Sequence, residues 1–179
     1  MRMFVALPIP DNVRASLASL CFGLQGARWV RPDSFHITLR YLGELDGGDV
    51  EDVDALLAGI HAPEFEVELA DVGCFANGRS VRSVWAGVKP SAALTHLHDK
   101  VESAVVRAGL PPNGQRYTPH VTLTRPKGIT LDNARQYLEA HSLYRAPAFD
   151  ATHFTLFRSF TGGEGSIYRA ESEYDLVGA

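Results

Sequence analysis

The chain has 179 residues, 45% hydrophobic and 21% charged, with a formal net charge of −4. That length can bury a core without a disulfide or a metal, and the acidic balance excludes a broad basic surface for non-specific nucleic-acid coating. Cys21 and Cys74 lack a C-x-x-C spacing, so they read as small reduced residues of a cytoplasmic protein and not as a zinc site.

In chain order, the apolar run Met3 to Leu7 predicts a strand and is too short for a signal h-region or a membrane span. Asp11 is expected to cap an amphipathic helix carrying Val13, Leu17 and Leu20. Phe35 to Leu42 alternates as a half-buried strand and stops at Gly43. Asp49 to Ile60 predicts a second helix. Phe65, Val67 and Leu69 then alternate as one strand reaching Phe75, and Asn77-Gly78 predicts a hairpin into Val81 to Val88.

The order then repeats. Lys89-Pro90-Ser91 opens a helix to about Ala108, a Pro/Gly-rich loop (Gly109 to Gly114) follows, and a strand holds His120. A helix over Leu131 to His141 precedes strands at Phe149 to Arg158 and Ser166 to Leu176, parted by Gly162-Gly163. His36-Ile37-Thr38-Leu39 returns as His120-Val121-Thr122-Leu123, an offset of 84 (120 − 36), and Phe65 and Phe149 keep the same offset. The expected fold is therefore α+β: two pseudo-twofold β-α-β-α-β units form one bilobal domain over residues 1–179. Two mostly antiparallel sheets would face a central cleft, with helices outside.

Side chains on a strand alternate faces. Alternation puts His36, Thr38 and Arg40 on one face and Ile37, Leu39 and Tyr41 on the other. In the second copy His120, Thr122 and Thr124 oppose Val121 and Leu123. A single strand histidine is more often structural than catalytic, but two in matching repeat positions point to paired acid–base chemistry. Phosphodiester cleavage needs a base for the attacking water, an acid for the leaving oxygen and donors for the non-bridging oxygens. One neutral and one protonated imidazole and two threonine hydroxyls meet those needs with no metal or other cofactor. An unperturbed histidine pKa of about 6.5 suits both roles. His61, His96, His98, His141 and His153 lack this pairing; His96 and His98 diverge on their helix and cannot share a metal.

These residues resemble the 2H phosphoesterase superfamily, with its two His-X-Thr/Ser-X motifs. Within it the chain is similar to the bacterial and archaeal RNA 2′,3′-cyclic phosphodiesterases, also called 2′-5′ RNA ligases. Arg2 to Leu7, Trp29 to Pro32, Tyr41 to Glu44, Val84 to Val88, Pro119 and Arg125, and Phe157 to Ser159 followed by Tyr168 carry the likeness over nearly the whole chain. The resemblance implies hydrolysis of an RNA 2′,3′-cyclic phosphate to a 2′-phosphate, with possible reverse 2′-5′ ligation. It implies His36 as proton donor to the 3′-oxygen and His120 as the base for water, although the near-symmetric motifs leave that choice open. Thr38 and Thr122 would bind the phosphate. Arg125 falls on the opposite face by alternation, yet the resemblance makes it a phosphate contact if the strand bends before Pro126. Tyr117 and Trp29 are candidates for stacking on a base. The implied partner is RNA with a cyclic-phosphate end or a related nucleotide, bound by a monomer away from membranes. The competing readings are a cyclic phosphodiesterase for small nucleotides and a non-catalytic RNA-end binding module.

Overall fold

The computed structural model describes residues 1–163 and 165–177. Its first strand, β1 (Arg2–Pro8), is buried throughout Met3 to Leu7, as an apolar run demands of a strand covered on both faces. In chain order follow α1 (Asp11–Ala18), β2 (His36–Glu44), α2 (Gly47–Ala58), β3 (Phe65–Val67), β4 (Leu69–Asn77), β5 (Ser80–Val88) and α3 (Ala92–Arg107). The chain continues through β6 (His120–Thr124), α4 (Leu131–Ala140), β7 (Phe149–Ala151), β8 (His153–Gly162) and β9 (Gly165–Asp175). The fold is α+β, and every strand pairing within its sheets is antiparallel.

Three helices start where a side-chain oxygen accepts an otherwise orphaned backbone N–H. Asp46 accepts from Asp49, Ser91 from Leu94 and Thr130 from Asn133. The expectation that Asp11 caps α1 is corrected. Pro10 occupies that position in an extended conformation, and Asp11 is the first helical residue. Its carboxylate pairs with Arg14 at 3.1 Å and lies at the positive end of the helix.

The sheets depart from the expected arrangement. One has the order β2-β1-β8-β9, another β4-β5-β6, and a two-stranded ribbon joins β3 to β7. The stretch read as a single strand from Phe65 to Phe75 breaks at Glu68, and its counterpart breaks at Thr152, 84 residues on (152 − 68). At each break the chain leaves the ribbon for a large sheet. β4, from the first half, pairs with β5, and β8, from the second, pairs with β1. Each large sheet thus contains a strand supplied by the other half, so the sheets are not built half by half. At the first break the alternation continues from Phe65 and Val67 to Leu69, so the pattern does not reveal the switch; at the second it changes phase, from Phe149 and Ala151 to Phe154 and Leu156. In the ribbon Glu66 faces Asp150, again 84 apart (150 − 66), so the two halves meet there at equivalent positions.

The main core joins both halves through Val5, Leu7, Val13, Ile37, Leu57, Leu97, Val101, Val121 and Phe154. A smaller cluster around Val81, Val84, Ile129 and Tyr137 seals α4 onto β5. Among the described residues no helix is long and apolar enough to cross a membrane.

Candidate active site

The two motif strands, β2 and β6, lie beside each other although they belong to different sheets. Both begin on the histidine, and both imidazoles are anchored alike. His36 Nδ1 bonds the Ser34 carbonyl at 2.8 Å, and His120 Nδ1 bonds the Thr118 carbonyl at 2.7 Å. A carbonyl can only accept, so Nδ1 carries the proton in each ring and the neutral Nε2 offers a lone pair. The protein fixes the tautomer twice by the same device, a bond to the residue two positions earlier.

A cavity of about 570 Å³ is lined by Thr38, Tyr41, Tyr117, His120, Thr122 and Arg125, among others. His36 borders this group, close enough to Arg125 and His120 to feel their charge. The structure therefore brings together all five residues singled out for chemistry: His36, Thr38, His120, Thr122 and Arg125.

Strict alternation misplaces several neighbours, for one shared reason. On β2, Ala6 faces Thr38 and Val5 faces Arg40, leaving Leu39 without a cross-strand partner. On β6, Trp85 faces Thr122 and Val84 faces Thr124, leaving Leu123 without one. Such an extra residue shifts everything beyond it by one position. Thr124, expected beside the histidines, is fully buried and outside the cavity lining, while Arg40, 8% exposed, still lines the cavity with Thr38. Tyr41 and Arg125, expected on the opposite faces, line the cavity, and the Arg125 guanidinium donates to the Tyr41 hydroxyl at 3.3 Å.

The displaced side chains have work elsewhere. Thr124 Oγ1 accepts from the Arg28 N–H at 3.1 Å and donates to the Arg28 carbonyl at 2.6 Å. Arg40 donates to the Pro111 carbonyl at 2.5 Å and pairs with Glu102 at 3.1 Å, while Glu102 also accepts from the Asn113 N–H. Each motif strand is thereby tied to the loop that precedes the other motif. The Tyr117 hydroxyl adds a further tie, donating to the Thr38 carbonyl at 2.8 Å; its ring stacks on His98 at 3.9 Å. Tyr117 is thus held in place beside the cavity. Trp29, the other stacking candidate, packs on Tyr137, and its neighbour Val30 bonds the Leu123 carbonyl.

The environments of the two imidazoles differ. Phe4, Tyr168 and Phe157 surround His36 at 4.8, 5.3 and 6.5 Å between ring centroids. Burial pushes its pKa down to about 4; the Ser34 carbonyl opposes this, and the Arg125 and His120 charges add to it. His120 lies against Phe75 at 5.0 Å and Trp85 at 5.8 Å. Its pKa is also lowered, chiefly by burial and further by Arg125, against the Thr118 carbonyl. Trp85 lies directly over Gly73, where a Cβ would stand 2.4 Å from its ring, so only glycine leaves room for the indole. Among the described residues no group of three His, Cys, Asp or Glu side chains could hold a metal ion.

Two histidines on adjacent His-X-Thr-Leu strands, His120 lining the cavity and His36 bordering it, agree with the sequence profile that matches residues 11–163. The chain belongs to the 2′-5′ RNA ligase superfamily. Among the relatives of this superfamily member is the RNA 2′,3′-cyclic phosphodiesterase of Aeropyrum pernix, 38% identical over 78% of this chain and 81% of its own length. The protein of the same name from Methanocaldococcus jannaschii is 26% identical over 97% of this chain and 100% of its own. The crystal structure of Escherichia coli LigT complexed with 3′-AMP superposes with a TM-score of 0.81. It is 24% identical and covers 99% of this chain and 98% of its own. For this 2′-5′ RNA ligase superfamily fold, sequence reasoning missed Phe4, Trp85 and Tyr168 as the ring neighbours of the histidines. Their strands were predicted, but which rings meet across sheets depends on the strand exchange.

Proposed function

We propose that this protein hydrolyses the 2′,3′-cyclic phosphate at RNA 3′ ends to a 2′-phosphomonoester, by two-histidine acid–base catalysis without a metal. Reverse 2′-5′ ligation would be the same displacement with a 5′-hydroxyl in place of water. The carrying observation is the matched pair of Nδ1-anchored imidazoles, whose strands deliver Thr38, Thr122 and, through the register shift, Arg125 to one cavity. The two-sheet exchange supports reading the fold as a duplicated, pseudo-twofold, bilobal unit with the histidines at its centre.

In this reading the threonine hydroxyls and Arg125 hold the non-bridging oxygens and stabilise the charge that grows on them. His120 Nε2 takes a proton from water as the oxygen attacks phosphorus. The bond from phosphorus to the 3′-oxygen breaks, and His36 gives that oxygen its proton. The donor must be charged, yet burial alone holds His36 neutral at pH 7. The bound phosphate anion therefore has a second role: it raises the pKa of the imidazole it touches. Empty and occupied clefts differ in protonation.

Product analysis on a cyclic-phosphate oligonucleotide tests the activity and the leaving oxygen together, because release of a 3′-phosphate would refute the assignment. A substrate with sulfur at the 3′ position tests the donor. A thiolate leaves without a proton, so this substrate should restore His36→Ala and leave His120→Ala inactive. Saturable binding of phosphate ends with no turnover would identify a binding module instead.

A further inference from the structure

The cleft holds more positive charge than one phosphate uses. Arg40, Arg82, Arg116 and Arg125 all line the 570 Å³ cavity, whose lining includes no Asp or Glu, in a chain of net charge −4. Arg40 is neutralised by Glu102, and Arg125 reaches Tyr41 beside the histidines. Arg82, on β5, and Arg116, in the loop before His120, are exposed and have no hydrogen bond or ion pair among the described residues. Several arginines outside the cavity are partnered, Arg14 with Asp11, Arg145 with Asp71 and Arg169 with Glu171, while Arg2, Arg79 and Arg107 are unpaired among the described residues but lie outside this cavity's lining. The loop carrying Arg116 is not free to swing away. Pro111 is bonded to Arg40, Asn113 to Glu102 and Tyr117 to Thr38, so the backbone on both sides of Arg116 is fastened to the cleft.

A cyclic phosphodiester carries a single negative charge, and two threonines, Arg125 and the imidazoles already serve it. Two unpaired guanidinium groups held on the same cavity fit a second phosphate, since each offers a planar fork of donors to anionic oxygens. We infer that Arg82 and Arg116 form a second phosphate subsite, which takes the 5′-phosphate of the terminal nucleotide. In RNA that group is the phosphodiester joining the terminal nucleotide to the rest of the chain. This inference rests on the cyclic phosphodiesterase reading and names what that site recognises: an RNA end in preference to a free nucleoside cyclic phosphate.

The test compares three substrates with one base: a nucleoside 2′,3′-cyclic phosphate, its 5′-phosphorylated form, and a dinucleotide ending in the cyclic phosphate. The two substrates with a second phosphate should show kcat/KM higher than the first by roughly 10-fold or more, the value of one charge-assisted contact. In Arg82→Gln, in Arg116→Gln and most of all in the double variant, that ratio should fall towards one. Equal kcat/KM for all three substrates in the unmodified protein, or a ratio untouched by the substitutions, would overturn the subsite. A gain for the dinucleotide alone would also overturn it, because recognition would then lie in the second nucleoside.

Failure to hydrolyse any of them would refute the underlying activity and not the subsite, which a second measurement reads without turnover. Calorimetric titration with a nucleoside 2′-phosphate and with the 2′,5′-bisphosphate should show tighter binding of the bisphosphate. That advantage should vanish in the double variant. Equal affinity in the unmodified protein would end the proposal.

Discussion

The surroundings of His36 and His120 are two versions of one design, and they diverge at a few positions. Both imidazoles open a strand, both are tied through Nδ1 to the carbonyl two residues back, and both strands carry an unpaired leucine three positions later. Beyond that leucine the copies part company. The buried position is arginine in one and threonine in the other, Arg40 against Thr124, and the cavity position is Tyr41 against Arg125. The ring packing differs too: burial lowers the His36 pKa to about 4 and lowers that of His120 as well. Duplication supplies two equivalent histidines. In the proposed mechanism, differences around them would allow one to hold a proton while the other lacks one.

The comparison breaks most completely when either imidazole is removed. His36→Ala and His120→Ala should each lower kcat by roughly 10²- to 10⁴-fold, read in steady-state assays. The double variant should cost far less than the product of the two, because acid and base act as one unit. Full activity in either single variant would refute the mechanism. Activity should persist in excess EDTA; complete inhibition would point to a metal enzyme.

Next in size are the anchors behind the motifs. Arg40→Met removes the partner of the half-buried Glu102 and a hydrogen bond to Pro111, and should destabilise the fold by about 1–3 kcal/mol. Thr124→Val, at the equivalent position, loses two hydrogen bonds to Arg28 and should cost about 1–3 kcal/mol. Urea denaturation measures both, and equal small losses would show that the two loops are held by something else.

Smaller and more selective effects come from protonation. A histidine whose pKa is lowered on folding binds its proton more readily in the unfolded chain, so between about 4 and 6.5 the unfolded state holds more protons. Stability should therefore fall as pH drops through that window, and His36→Gln should flatten the dependence in urea midpoints taken at pH 5 and pH 7. In the free protein His36 should titrate near 4 by NMR; a value near the usual 6.5 would mean that burial is not the controlling factor. The kcat profile should be bell-shaped, because one histidine must be charged and the other neutral.

The smallest expected change in activity concerns the indole beside His120. Gly73→Ala places a methyl group where the Trp85 ring lies and should cost about 1–3 kcal/mol. Its effect on kcat should be confined to the His120 limb of the pH profile.

How much of this was legible in the sequence depends on what each feature leaves in the pattern. The elements themselves could be read, because apolar spacing and capping residues such as Ser91 and Thr130 are local signals. The repeated tetrapeptide located four of the five cavity residues directly. Arg125 required the family resemblance, since alternation assigns it to the wrong face. The extra residues at Leu39 and Leu123 are invisible in sequence: a buried leucine looks the same whether or not it has a cross-strand partner. Strand exchange at Glu68 is equally silent, because the next strand continues the same alternation; at Thr152 the alternation changes phase between Ala151 and Phe154, yet this does not say which strand is the new partner. The ties from Arg40 to Pro111 and from Tyr117 to Thr38 span 71 and 79 residues, beyond any local pattern.

Exchange of β4 and β8 also bears on how this protein can come apart. Each large sheet is completed only by a strand from the opposite half, so a fragment ending before β5 would expose the open edge of β1 and have no partner for β4. Neither half is therefore expected to fold alone. Assembly must await pairings between β1 and β8, whose partners such as Val5 and Leu156 are separated by most of the chain, and such distant closures slow folding. In return the two histidines share one fate. Unfolding that reaches either sheet is expected to dismantle both sides of the cleft together.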